Sequence, residues 1–408
     1  MTGYGAITPY GVGVATLIEG LKAGRSAVCN MSQYWSENVE GRYCMLAAPV
    51  LEGFEERSIP RRLRRSMGRS ACLTYVAVQE AIEHAELPGD TLKAGRVGVA
   101  FGESMPSASA LETFFDEYLL KRSLANIPAG GFFRVMGHSV AANVANAFGV
   151  TGRVAGTPGA CASGAMAVGL GYEMVSFGVQ DVMICGGVEE CHGLTSAVFD
   201  ILGASSTHWN AHPERSPAPF DRDRDGTVCG EAAGAIVVEA EEHALRRGAP
   251  ILARVLGFAG IGTGNGMAQA GSASMERCLR MALSDAGLEA EYVGYVNAHA
   301  TATIQGDSAE SSAIRAVFGG GVPVSGLKGY FGHTLGASGA VESIASIEMM
   351  LGGYLVPTGK LRNVDECCQG INHVREFQQA DLDAIVKCSF GFGGINAALV
   401  LGRYEDEP

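Results

Sequence analysis

Apolar residues fall into short continuous runs that alternate with stretches of helical period along the whole chain. Val97 to Phe101, Val182 to Cys185 and Ala235 to Glu239 read as strands buried on both faces. Met67 to Ala85, Val140 to Phe148 and Ala165 to Phe177 repeat their apolar positions as helices do. A charged turn from Glu239 to Pro250 interrupts the scheme, which then restarts. Strand-like runs follow at Ile251 to Leu256, Val293 to Val296 and Ala398 to Leu401, with helices near Ser274 to Ala286, Asp307 to Phe318 and Val341 to Leu351. Such alternation predicts α/β layers with mostly buried sheets, in two halves, 1–245 and 246–408. Periodicity alone does not say whether the halves are duplicates.

Composition adds limits. A chain of 408 residues with 47% hydrophobic content can bury a sizeable core. Its 57 glycines follow no collagen period and gather at loops, where close backbone approach is their expected use. Neither a bilayer-length apolar run nor a secretory start is visible, so a cytoplasmic enzyme is expected. Eleven cysteines without regular spacing then read as reduced thiols. Cys185, Cys191 and His192 lack zinc-ribbon spacing, and His208 with His212 runs straight into Pro213, so no metal site is expected. The glycine runs Gly260 to Gly266 and Gly391 to Gly394 miss the dinucleotide spacing, which disfavours a nicotinamide enzyme.

A net charge of −13 argues against nucleic acid as a partner, yet the charge is uneven. Arg57, Arg61, Arg62, Arg64, Arg65 and Arg69 crowd into one segment. Taken alone, that run reads as a solvated helix start.

The candidate chemistry centres on Cys161, inside Gly159-Ala-Cys-Ala-Ser-Gly164 and just before a predicted helix. A helix amino end favours a thiolate, and small neighbours admit a bulky acyl group; buried packing is the other reading. His299 follows a strand-like run in Asn297-Ala-His-Ala-Thr-Ala-Thr303, and His333 sits among glycines ahead of a helix. Singly each histidine reads as structural; with Cys161 they form a plausible site.

These segments resemble the β-ketoacyl-acyl-carrier-protein synthases of the thiolase superfamily, most like the synthase II type and the ketosynthases of type II polyketide and aryl polyene systems. Ordered matches run at Thr2 to Gly11, Ala160 to Gly164, Asp181 to Gly187, Pro219 to Gly226, Asn297 to Thr303, Gly332 to Ala337 and Ser389 to Asn396. The resemblance implies a thiolase-like αβαβα sandwich of two related halves, usually dimeric. It implies that Cys161 takes an acyl group from an acyl carrier protein, and that malonyl carrier protein loses carbon dioxide and attacks it. His299 and His333 would donate N–H groups to the malonyl oxygen, while backbone N–H groups of Cys161 and Phe392 form the oxyanion hole. Gly391, Gly393 and Gly394 would let the Phe392 loop gate the pocket. Thr301 and Thr303 would hold the phosphopantetheine arm, and Lys328 with Glu342 would hold His333 in place. No cofactor is bound by the enzyme itself, since its substrates arrive on the carrier's phosphopantetheine. Arg61, Arg62, Arg64 and Arg65 would dock the acidic carrier. Phe132, Phe133 and Met136 would limit the acyl pocket or pack at the dimer contact. The Asp221 to Asp225 run is assigned to turn and salt-bridge structure.

Three departures stand out: Ala300 for a glycine, Ile304 for a proline and Cys388 for an asparagine. A β-carbon at 300 would crowd the pantetheine channel if the position needs positive φ. Cys388 raises the second cysteine of degradative thiolases. A catalytically silent chain-length-factor-like partner and a Cys-His hydrolase are the rival functions, and the partner chain of an active enzyme is either a second copy or such a silent homologue.

Overall fold

The computed structural model describes every residue except 36–38, 265, 268–269 and 406–408; Asn265 of the Gly260 to Gly266 run lies outside the described residues. Two six-stranded sheets carry the chain. The first contains β1 (Gly3–Thr8), β2 (Gly11–Val12), β3 (Val97–Gly102), β4 (Val154–Gly156), β5 (Val182–Glu189) and β6 (Ala232–Glu239), in the order β2-β1-β6-β5-β3-β4. The second contains β7 (Ala253–Gly262), β8 (Tyr295–Asn297), β9 (Pro323–Ser325), β10 (Asn372–His373), β11 (Ala384–Gly391) and β12 (Ile395–Arg403), in the order β7-β12-β11-β8-β9-β10.

Setting aside β2 and β10, the strands of each half follow one order: first, fifth, fourth, second, third. The pairings repeat too. The first strand is antiparallel to the fifth and the fifth to the fourth, whereas the others pair in parallel. This repeated order is the duplication that periodicity could not reveal.

Helices repeat in step. α1 (Arg69–His84) and α2 (Ser139–Phe148) cover the outer face of the first sheet, and α4 (Ser272–Ala286) with α5 (Ile304–Phe318) covers that of the second. Between the sheets lie α3 (Ser163–Ser176) and α6 (Ser338–Gly352), giving five layers, αβαβα. Because helices cover both faces, all eight residues of β5 and all eight of β6 are buried, which explains their unbroken apolar runs. Three core clusters fill the spaces between layers.

The central helices meet at glycines in equivalent places. A Cβ at Gly339 would stand 2.1 Å from the Ala165 nitrogen, and one at Gly164 would stand 2.7 Å from the Gly336 oxygen. Only hydrogen fits there, so the amino ends of α3 and α6 press together. That contact positions the site.

Candidate active site

Each central helix starts through the same device. A 3-10 turn precedes it, Ala160–Ala162 before α3 and Leu335–Ala337 before α6. Each turn opens on a non-glycine residue with positive φ, Ala160 at 48° and Leu335 at 42°. Such backbone costs about 1 to 3 kcal/mol and is tolerated where surroundings fix it. Ser163 Oγ accepts the Gly159 N–H at 2.8 Å, and Ser338 Oγ lies 3.1 Å from His333 Nδ1. The duplicated helix starts therefore deliver the nucleophile from one half and a histidine from the other.

His299 arrives from the end of β8. The loop after that strand is held by Glu310 of α5, whose carboxylate accepts the N–H groups of His299 at 2.6 Å and Ala300 at 2.7 Å. Burial pushes the Glu310 carboxyl up to about 7, while those two N–H groups pull it down. Asp307 does similar work one turn earlier, accepting from Phe220 and Ala302. Neither acid was singled out in the sequence; their place on the helix after the histidine motif was the available signal.

One ligand-type atom each from Cys161, His299 and His333 lies within 4.8 Å of the others, and all three side chains are buried. The imidazoles meet edge to face, with centroids 5.1 Å apart. His333 Nδ1 accepts the Leu335 N–H at 3.2 Å, which leaves the ring hydrogen on Nε2. Among the described residues, that Nε2 has no hydrogen-bond partner, and neither does Nδ1 of His299. Burial, then the charge of Lys328, holds both imidazoles well below the usual histidine range, so they are neutral. A neutral ring with its hydrogen on Nε2 is a donor. The same tautomer makes it a poor metal ligand, although three such atoms are near enough to surround an ion.

Burial works against the thiolate that the helix amino end favours. Burial pushes the Cys161 thiol up to about 12, outweighing Lys328 and the backbone N–H groups of Phe392 and Cys161, which act the other way. The resting group is a thiol. Those two N–H groups are the ones expected to form the oxyanion hole, and both favour the charged sulfur.

Phe392 occupies the β11–β12 turn. A Cβ on Gly391 would come within 2.9 Å of the Gly159 oxygen and 3.3 Å of the Cys161 nitrogen, while Gly393 and Gly394 have φ of 87° and 72°. The Phe392 ring packs on Phe199, 5.9 Å away, and both contribute to the pocket over Cys161.

That pocket has a volume of about 380 Å³ and takes in Cys161, both histidines and the two threonines. Thr301 and Thr303 point their hydroxyls to one side, 3.0 Å apart. Ile304 stands at the exposed start of α5, also on the pocket wall. Ala300 does have positive φ, 41°, the condition set for crowding, but its methyl packs against Gly326 in the core and does not line the pocket. Crowding of the channel is therefore overturned. Cys388 is buried in the outer core of the second half, away from the pocket wall, which removes the thiolase-like role raised for it.

Phe132, Phe133 and Met136 do not line this pocket within one chain. Phe132 and Phe133 are about half exposed, on and beside a short helix, Gly131–Val135. Arg61, Arg62 and Arg65 are exposed and Arg64 half-buried, on or just after the short helix Arg61–Arg64; none lines the pocket. Arg69 is different, because it is bound to the buried Glu231 at 2.6 Å. In the Asp221 to Asp225 run, Arg224 pairs with Asp365 and Asp307, as a structural role requires.

Lys328 and Glu342 are fully buried and bonded at 2.5 Å. A second lysine, absent from the sequence reading, joins them: Lys387 on β11 lies 3.1 Å from the other Glu342 oxygen.

Comparison with known proteins agrees with this arrangement. The model described as Beta-ketoacyl synthase, N-terminal domain matches residues 1–244, and Beta-ketoacyl synthase, C-terminal domain matches 252–362. The chain is 33% identical to 3-oxoacyl-[acyl-carrier-protein] synthase 1 of Haemophilus influenzae, over 99% of this chain and 98% of that protein. It is 32% identical to synthase 2 of Vibrio cholerae, over 99% and 98%. A β-ketoacyl synthase crystal structure from Burkholderia phymatum superposes with a TM-score of 0.95, at 40% identity and 99% coverage of both chains. The ishigamide ketosynthase/chain length factor gives 0.90 at 28% identity, covering 99% of this chain and 98% of that one. A second structure, a type II polyketide acyl-carrier protein in complex with its ketosynthase, gives the same values. The chain belongs to the beta-ketoacyl synthase family.

Proposed function

We propose that this chain is a β-ketoacyl-acyl-carrier-protein synthase, an acyltransferase that lengthens a carrier-bound acyl chain by two carbons. The single observation that carries the reading is the meeting of Cys161, His299 and His333 around one pocket of about 380 Å³ that Thr301 and Thr303 also line. The same observation favours the synthase over the silent-partner and hydrolase readings: the nucleophile is present, and two neutral imidazoles lie beside it as donors where a developing oxyanion needs them.

In the first half-reaction the Cys161 sulfur attacks the acyl thioester, and the carrier's pantetheine sulfur leaves. The thiol proton ends on the departing sulfur. N–H groups of Cys161 and Phe392 hold the tetrahedral oxyanion. In the second, malonyl carrier protein enters along Thr301 and Thr303, the bond to its carboxylate breaks, and carbon dioxide departs. Electrons pass to the thioester oxygen, which accepts hydrogen bonds from His333 Nε2 and a ring N–H of His299. The resulting carbon nucleophile attacks the acyl-cysteine, and Cys161 leaves and recovers a proton.

The partners follow from the surface. Arg61, Arg62, Arg64 and Arg65 give an acidic carrier protein a basic landing site on a chain of net charge −13. β4 lies at a sheet edge with Val154 exposed, Phe132 and Phe133 are exposed too, and a second chain of this fold, identical or homologous, would cover such apolar surface. Among the described residues no helix is long and apolar enough to cross a membrane, and the free cysteines suit a reducing cytoplasm. The halves 1–245 and 246–408 serve as the nucleophile-bearing and histidine-bearing parts.

The test incubates the protein with acyl and malonyl carrier proteins and follows them by intact mass. A carrier product two carbons longer, with keto oxygen retained, supports the reading. Free acid release or complete silence overturns it.

A further inference from the structure

Two buried ammonium groups share one carboxylate beside the imidazole pair. Lys328 Nζ is 2.5 Å from Glu342 Oε1 and Lys387 Nζ is 3.1 Å from Oε2; all three side chains are fully buried. Lys387 also donates to the carbonyl of Cys388. Pairing does not explain the second lysine. Glu342 already has a partner in Lys328, and Lys387 adds like-charge repulsion that pulls the Lys328 ammonium further from its charged form. A buried ion pair adds little stability, and a third charge with no anion of its own adds less.

What the second charge does reach is the histidine pair. Lys387 stands in register with Asn297 of β8, two residues before His299, and Phe390 of the lysine's own strand packs on the His299 ring at 6.1 Å. Lys328 and Lys387 both disfavour the charged form of the two imidazoles. The other titratable groups facing this cluster are Glu342 from α6, Glu310 and Asp307 from α5, Tyr295 from β8, Cys161 from the turn before α3, and Cys388 on the lysine's own strand.

We propose that Lys387 is a positioning residue for the decarboxylation step: held 3.1 Å from the second oxygen of Glu342 and in register with Asn297, it sets a buried positive charge on the strand beside the His299 loop, near where the malonyl oxygen turns negative. This inference rests on the function proposed above. Fixed charge aimed where a transition state becomes anionic accelerates that step selectively. Acyl loading places its negative charge at the N–H groups of Cys161 and Phe392 instead, and should be nearly indifferent to Lys387.

The experiment compares the wild type with K387M and K387R. Each is first acylated, then mixed in a single turnover with malonyl carrier protein while carbon dioxide release is timed; loading of Cys161 is timed separately. K387M is expected to load within about twofold of wild type and to release carbon dioxide about tenfold more slowly, with K387R recovering most of that loss. Equal slowing of both steps, or of neither, overturns the proposal. A second readout needs no turnover: NMR titration of the two imidazoles should show their midpoints moving up in K387M, and unchanged midpoints overturn it too. A wild type that neither loads nor decarboxylates refutes the proposed function, while the titration still decides the case of Lys387. Should K387M fail to fold, K387Q is put to the same two readouts.

Discussion

The backbone N–H of Leu335 donates to Nδ1 of His333 across 3.2 Å, and that bond fixes the side on which the imidazole can act. With Nδ1 an acceptor, Nε2 must carry the hydrogen and faces the pocket as a donor. Protonating the ring would set two donors head to head at Nδ1.

One consequence concerns pH. Both imidazoles have pKa values held well below the ordinary histidine value of 6.5, so both are neutral at neutral pH and remain so as pH falls through 6.5. Decarboxylation timed in a pH series should therefore show no acid limb near the ordinary histidine midpoint. A loss of rate centred there would mean that one ring titrates normally and that the buried neutral pair is wrong.

Cys161 carries the opposite sign. Its pKa is raised to about 12, so the thiolate is a small fraction at neutral pH and grows about tenfold per unit as pH rises. Alkylation by iodoacetamide, followed at Cys161 by mass spectrometry, should accelerate without levelling off up to about pH 9. A plateau near neutrality would show that the helix start lowers the thiol more than burial raises it.

The crossing of α3 and α6 makes a steric prediction. In Gly339→Ala the new methyl would meet the Ala165 backbone at 2.1 Å, and backbone cannot step aside as a flexible side chain does. We expect a loss of about 1 to 3 kcal/mol in stability by denaturant melting. Loading of Cys161 should fall with it, because the same contact brings Cys161 and His333 together. Unchanged stability and loading would remove the glycine contact from the account.

Thr301 and Thr303 should act on binding rather than chemistry. Thr303→Val removes one hydroxyl from the pocket wall while keeping its shape, and a lost hydrogen bond is worth about 1 kcal/mol. KM for malonyl carrier protein should rise about fivefold with kcat little changed. A fall in kcat at constant KM would place this threonine in the chemical step.

Much of this was legible in the sequence because it is local. Unbroken apolar runs marked β5 and β6, and the settings of Cys161, His299 and His333 in small-residue loops marked the chemistry. The duplication was not, since it lies in strand order. A trace of it is present, however, as Ala162-Ser-Gly-Ala165 and Ala337-Ser-Gly-Ala340 ahead of the two central helices. Glu310 and Lys387 escaped notice because a buried charge on an amphipathic helix or apolar strand gains its meaning from partners far away in sequence. Ala300 misled for a related reason: its φ is positive, the condition posed for crowding, but the direction of its methyl depends on Gly326 across the loop.

The central claim is that one sulfur loads the chain and two neutral imidazoles release the carbon dioxide. Its most direct measurement is intact mass of the His333→Ala variant after incubation with acyl carrier protein, then with malonyl carrier protein. The account predicts an acyl group on Cys161 that persists, with elongated product formed at least about 100-fold more slowly than by wild type. Failure of that variant to load, or elongation at the wild-type rate, would contradict it.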